Sequence, residues 1–291
     1  MKINQFKFIG LIVVFGIFTQ SCNNNPEVVN LPEPQNQEIP QEVMNKLKEV
    51  NLNTNYIKKV TYETLEGNIE HAYEVEGDVV ISHDELMRLG TQSLGKSNAN
   101  SKKQYRTFNL VSTPRTITVV GYTGGQFALS NTARTGLRYA VNNFNALNMS
   151  IQMNLVFTTN FDGDDIVVYY DAGRELPEDS VRGRAEFPSS NGLPGLRVRI
   201  NTGANRSGDA QIIEGLMTHE IGHTLGLRHT DWDTRQSCGQ SGESPGSIGA
   251  VYIPGTAGAS NDPSSIMNSC FPSSVQGELS RFDKIALEYL Y

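Results

Sequence analysis

Residues 219–229 read HEIGHTLGLRH and hold three of the chain's five histidines. On a helix, His219 and His223 stand four positions apart and project from one face a turn apart, so two imidazole nitrogens can reach one metal ion. Glu220, beside the first of them, is a carboxylate placed to take a proton from an attacking water and not to ligate. Gly226, three residues beyond His223, can adopt positive φ, end the helix and turn His229 back toward the same point. Three neutral nitrogens with a fourth position open make a catalytic zinc site, whereas a structural site needs a fourth protein ligand. Each histidine alone has an ordinary reading, since isolated imidazoles satisfy core or surface hydrogen bonds. Together they do not: composition alone yields H-E-x-x-H in about one chain of this length in a hundred, and the spaced Gly and His lower that by several hundredfold.

The elements that must position these residues follow from apolar periodicity. Ser207-Gly208-Asp209 offers caps for a helix whose apolar face runs through Ile212, Ile213, Leu216, Met217 and Ile221 and which Gly226 stops. Upstream, Thr116–Tyr122 is strand-like, Gln126–Leu147 has helical spacing through Phe127, Leu137, Val141 and Phe144, and Met149–Thr158 alternates as a strand. Asp165–Tyr170 reads as a buried strand, and Gly195–Ile200 (GLRVRI) as a strand with one wet face at a sheet edge. Ser280 and Asp283 form the Ser-x-x-Asp start of a closing helix to Tyr291.

The N-terminal third differs in character. Lys2 and Lys7 precede an apolar run, Phe8–Phe18, too short for the roughly 20 residues of a bilayer span, so it reads as a signal peptide, residues 1–21. Ser21-Cys22 followed by three asparagines resembles a bacterial lipoprotein cleavage site that makes Cys22 the lipid-bearing first residue, although Thr19 stands where Leu is usual. The chain is therefore expected in the bacterial cell envelope, membrane-attached through lipid or released after processing. Residues 22–40, rich in Asn, Gln, Glu and Pro, form a tether. A small α/β module follows over 41–106, with a helix at Gln41–Val50 and strands around Tyr56–Tyr62 and His71–Ile81. Its end, Gly95–Arg106, reads either as a protease-sensitive linker with Lys102, Lys103 and Arg106 as cleavage points or as a solvated loop.

Charge and cysteines narrow the picture further. The 291 residues are 38% hydrophobic, enough for a sizeable core, and the net charge of −7 without a basic run excludes a nucleic-acid surface. A monomer is expected. With Cys22 lipidated, Cys238 and Cys270 are an even pair in an oxidising compartment and are expected to form a disulfide, with two free thiols as the other reading. Asp162-Gly163-Asp164-Asp165 carries oxygens for calcium but fits no complete loop motif and reads as a turn. Asp231 can orient an imidazole or cap the next turn.

HExxHxxGxxH is the zinc signature of the metzincin metallopeptidases, which the chain resembles at His219, Glu220, His223, Gly226 and His229. Ser265-Ile266-Met267-Asn268 resembles the family's Met-turn, with Met267 as an apolar floor beneath the metal. The wording HEIGH, in a lipoprotein of this layout, is similar to the bacterial dual-action HEIGH metallopeptidase family. Over about Thr113–Tyr291 the resemblance implies an α+β fold: a twisted mixed sheet, long helix, zinc helix, Met-turn and C-terminal helix, in a peptidase domain spanning 107–291 behind a pro-region. It implies Zn²⁺ as cofactor, a protein or peptide substrate, and Glu220 as general base and then acid. Two features depart from some metzincins: Ser269 stands where a Tyr ligand would be, and no Cys between Asn23 and Thr113 can block the zinc. Tyr73–Asp78 (YEVEGD) instead resembles the astacin propeptide, in which an Asp after Gly fills the open zinc position, a role this would give Asp78. The competing class is a surface or adhesion lipoprotein that binds metal without turnover, which would not require Glu220.

Overall fold

The computed structural model describes residues 38–50, 52–55, 57–89, 104–163, 166–171, 182–240, 250–257, 261–272 and 276–291. The signal segment, Cys22, the tether as far as 37, residues 90–94, residues 95–103 of the linker, and Asp164 and Asp165 lie outside them. Described elements in chain order begin with α1 (Gln41–Glu49), β1 (Lys58–Glu63), β2 (Ile69–Val75), β3 (Val79–Ser82), α2 (His83–Arg88) and β4 (Tyr105–Arg106). They continue through β5 (Arg115–Tyr122), α3 (Asn131–Asn145), β6 (Ile151–Thr158), β7 (Ile166–Tyr170), β8 (Gly183–Glu186) and β9 (Arg197–Ile200). Then come α4 (Thr202–Arg206), α5 (Ala210–Thr224), β10 (Leu227–Arg228), β11 (Val251–Tyr252) and α6 (Arg281–Leu290).

Alternation along β5 sends Ile117 and Val119 into the main core and Val120 to the opposite face, as the two-residue strand period requires. Eight strands form a twisted mixed sheet in the order β1-β2-β3-β8-β9-β7-β5-β6. Strands β6, β5, β7 and β9 run parallel, β8 lies antiparallel to β9, and β3 lies parallel to β8 with Val79 opposite Ala185. The N-terminal strands thus belong to the same sheet as the strands around the histidine motif. A second sheet, β10-β4-β11, ties the residues just after His223 to the end of the expected linker, whose Tyr105 and Arg106 form β4.

Helix α5 lies against α3 and is buried along nearly its whole length, which is why it is apolar on more than one face. Ile213, Met217 and Ile221 are each wholly buried, worth about 1.5–3 kcal/mol apiece as area removed from water. Asp209 caps α5, its carboxylate accepting from the Gln211 and Ile212 amides.

Several expectations need correction. The helix expected from Gln126 starts at Asn131, because Ser130 caps it through the Ala133 amide and Gly125–Phe127 forms a separate 3₁₀ turn. The single strand expected over His71–Ile81 breaks into β2 and β3 at a turn where Glu76 and Gly77 take φ of 57° and 100°. GLRVRI is neither an edge nor wet on one face. β9 is hydrogen-bonded on both sides, and Arg199 is 1% exposed, its guanidinium 3.6 Å from the centre of the Tyr62 ring.

The Cys238 and Cys270 sulfurs are bonded, joining the 3₁₀ turn after His229 to the segment after Met267 across 32 positions. By loop-closure entropy the bond is worth about 3–4 kcal/mol. Replacing both cysteines with serine is expected to lower the urea-unfolding free energy by about that amount; an unchanged unfolding midpoint would contradict it.

Candidate metal centre

Helix geometry brings His219 and His223 to the last turns of α5, and Gly226, at φ 93°, reverses the chain so that His229 returns to them. The three Nε2 atoms lie 3.1, 3.2 and 3.2 Å apart. His219 Nδ1 is 2.6 Å from the Ile266 carbonyl and His223 Nδ1 is 2.8 Å from the Leu227 carbonyl. A carbonyl only accepts, so both Nδ1 atoms carry the proton and both Nε2 atoms present lone pairs. Facing lone pairs repel, so the arrangement calls for a cation. Zinc fits: Zn–N bonds of 2.0–2.1 Å at tetrahedral angles put ligand nitrogens about 3.3 Å apart.

The fourth direction is filled from the N-terminal region. Asp78, at the turn between β2 and β3, places its carboxylate 3.0 Å from His229 Nε2, 3.5 Å from His219 Nε2 and 3.6 Å from His223 Nε2. These four residues form a group able to hold one ion. Burial opposes charge on Asp78, but the facing imidazoles outweigh it and hold the carboxyl well below its usual range. The turn itself is pinned, with Glu76 paired to buried Arg228 and the Glu76 carbonyl accepting from Arg235.

Beneath the histidines, Met267 is 1% exposed and packs against Gly222 of α5. Its turn is anchored from α6: the Asp283 carboxylate accepts from Ser265 Oγ at 2.6 Å, the Ile266 amide at 3.0 Å and the Ser280 amide at 2.9 Å. One carboxylate therefore caps α6 and fixes the amide of the same residue, Ile266, whose carbonyl orients His219. Asp231 binds the amide of Ser237 in the following 3₁₀ turn, in keeping with the capping reading, and also braces a second segment. Its oxygens accept from the Ser269 and Ser237 amides at 2.9 and 2.8 Å, tying the chain after His229 to the Met267 turn. Phe187 and Phe271 wall the site, with ring centres 5.8 Å from His223 and 5.1 Å from His219.

The sequence profile of the dual-action HEIGH metallopeptidases matches residues 73–291. The chain belongs to that family. It is a metallopeptidase, and zinc is the family's usual metal. Two solved structures of myroilysin are also similar to it, both at 16% identity, covering 63% and 66% of this chain and 96% and 90% of theirs, with TM-scores of 0.37 and 0.35. No curated protein matches.

The five letters that give the HEIGH metallopeptidases their name take on physical roles here. Glu220 is 1% exposed, and burial, reinforced by the Asp78 charge, pushes its carboxyl well above the usual carboxylate range. Gly222, a costly residue inside a helix, leaves room for Met267: a β-carbon there would lie 2.7 Å from the Met267 sulfur. Gly183 on β8 was not legible from sequence, because nothing in the chain near it announces a contact with α5. A β-carbon at Gly183 would lie 2.5 Å from Glu220 Oε1. The two glycines therefore predict opposite failures. Gly183→Ala is expected to keep its zinc and lose about a hundredfold in peptide hydrolysis through a displaced Glu220. Gly222→Ala is expected to weaken zinc binding about tenfold or more by shifting the Met267 turn. Metal content by elemental analysis alongside peptide turnover checks both, and equal metal retention in the two variants would refute the distinction.

Proposed function

We propose that this metallopeptidase is an exported zinc endopeptidase, anchored by lipid at Cys22 in a bacterial envelope and held latent by its own N-terminal strands. His219, His223 and His229 are the ligands and Glu220 the general base. The observation that carries the reading is the convergence of three Nε2 atoms on one point, two of them oriented by carbonyls behind the rings, faced by the Asp78 carboxylate. Bound there, zinc supplies Lewis acidity that polarises the scissile carbonyl and acidifies the attacking water. Glu220 takes the water's proton and returns it to the leaving amine, and its raised affinity for protons suits both halves of that transfer.

Latency in this reading comes from Asp78 occupying the position that water needs. Its support is the carboxylate's 3.0–3.6 Å approach to all three Nε2 atoms and the two arginines that hold Glu76. Residues 41–106 then act as the pro-region and linker, 107–291 as a metzincin-like catalytic domain, and cleavage within the linker frees the site. The β3–β8 pairing favours such a role, since departure of β3 turns β8, next to Glu220, into a free edge for an extended peptide.

Three measurements test the parts separately. Glu220→Gln is expected to retain zinc and lose about 10²-fold or more of peptide-bond hydrolysis; turnover equal to wild type removes the mechanism. Asp78→Ala is expected to make the uncleaved chain about tenfold or more as active as its parent, and an unchanged rate removes the latch. Mass spectrometry of the mature N-terminus should find acylated Cys22, and an unmodified residue elsewhere removes the anchor.

A further inference from the structure

The acids of the N-terminal strands do more than cover the zinc position. Glu74, on β2, has its side chain 4% exposed and lies 2.5 Å from Arg184 Nε and 2.6 Å from Lys58 Nζ. Glu74 also lines a cavity of about 420 Å³ shared with His219, Glu220, Gly183 and Arg182. A carboxylate of the N-terminal region thus reaches into the same cleft as the catalytic machinery and sits on an arginine of the peptidase domain. That arginine has little freedom to go elsewhere. Gly183 faces Glu220, so strand alternation turns Arg184 to the other face of the sheet, where it stands directly opposite Arg199 in the β8–β9 register. Two guanidinium groups opposed across antiparallel strands repel, and both are 1% exposed, so the pair depends on nearby anions. Asp171, 4.0 Å from Arg199, stays with the peptidase domain, while Glu74 departs with β2.

We propose that Arg184 and Arg199, with Arg182 at the cavity wall, form a subsite for an acidic side chain of the substrate, filled by Glu74 until the N-terminal strands leave. This rests on the reading of those strands as a removable pro-region. The enzyme therefore selects peptides with Glu or Asp at one fixed position relative to the cut. A guanidinium–carboxylate pair in a partly dry cleft is directional and charge-assisted, and a neutral amide of the same shape lacks the charge.

The test uses the full chain after limited trypsin treatment of the linker, with trypsin then quenched, acting on a proteome-derived peptide mixture whose new ends are mapped. Matched peptides differing only by Glu or Gln at the enriched position then give kcat/KM. The comparison protein is Glu74→Gln/Arg184→Gln, which removes both charges of the pair together, sets no like charge against Lys58 and so guards against simple misfolding. Wild type is expected to enrich acidic residues at one position and prefer Glu over Gln by about tenfold, and the double variant to lose that preference. An identical profile in both proteins, or no acidic position in wild type, overturns the subsite while leaving the peptidase reading intact. No cleavage by either protein, nor by the Asp78→Ala chain, overturns the pro-region reading and the subsite with it.

Discussion

Three imidazole nitrogens lie just over 3 Å apart in a buried pocket, and the lone pairs that His219 and His223 turn inward repel one another unless a cation lies among them. Much of the fold can be understood as what holds them there. Backbone carbonyls take the outward Nδ1 protons of His219 and His223, and each carbonyl is itself fixed, one by the strand that follows the helix and the other by the turn beneath it. The restraint reaches as far as the last helix, since Asp283 binds the Ile266 amide while Ile266 orients His219. Metal affinity and the stability of the C-terminal cap consequently meet at a single residue, Ile266.

The same pocket explains how the N-terminal region attaches. Its strands complete the sheet at β8, and its carboxylates meet cations contributed from beyond the linker: Glu74 with Arg184, Glu70 and Glu66 with Arg197, Glu76 with Arg228, and Asp78 with the histidine cluster. Most of these pairs are shielded from water, where a charge left without its partner costs several kcal/mol. The seam is thus held by matched charge as well as by backbone pairing.

Local pattern made the chemistry legible. The four-residue spacing of His219 and His223, the helix stop at Gly226 and the capping box at Ser280 and Asp283 depend on neighbours within a turn or two, and each takes the local form its spacing implies. The helix start at Ser130 was missed because Phe127 continues the apolar period, while the decisive interaction is a side-chain cap three residues later. GLRVRI misled for a related reason: alternating Arg and apolar residues ordinarily mark a wet face, and only partners distant in the chain, Tyr62 and Asp171 among them, allow that face to be buried.

What the sequence by itself determined is the set of ligand types, their spacing, the neighbouring carboxylate and hence the class of reaction, because helix periodicity converts spacing directly into direction. Tertiary structure alone decided which distant residues complete the site. Gly183 stands against Glu220, Asp283 governs the Met267 turn, and Glu74 and Asp78 enter the cleft through a turn whose positive φ values interrupt an apparently continuous strand. Those contacts span tens to more than a hundred positions and depend on strand order and register, which no local period encodes.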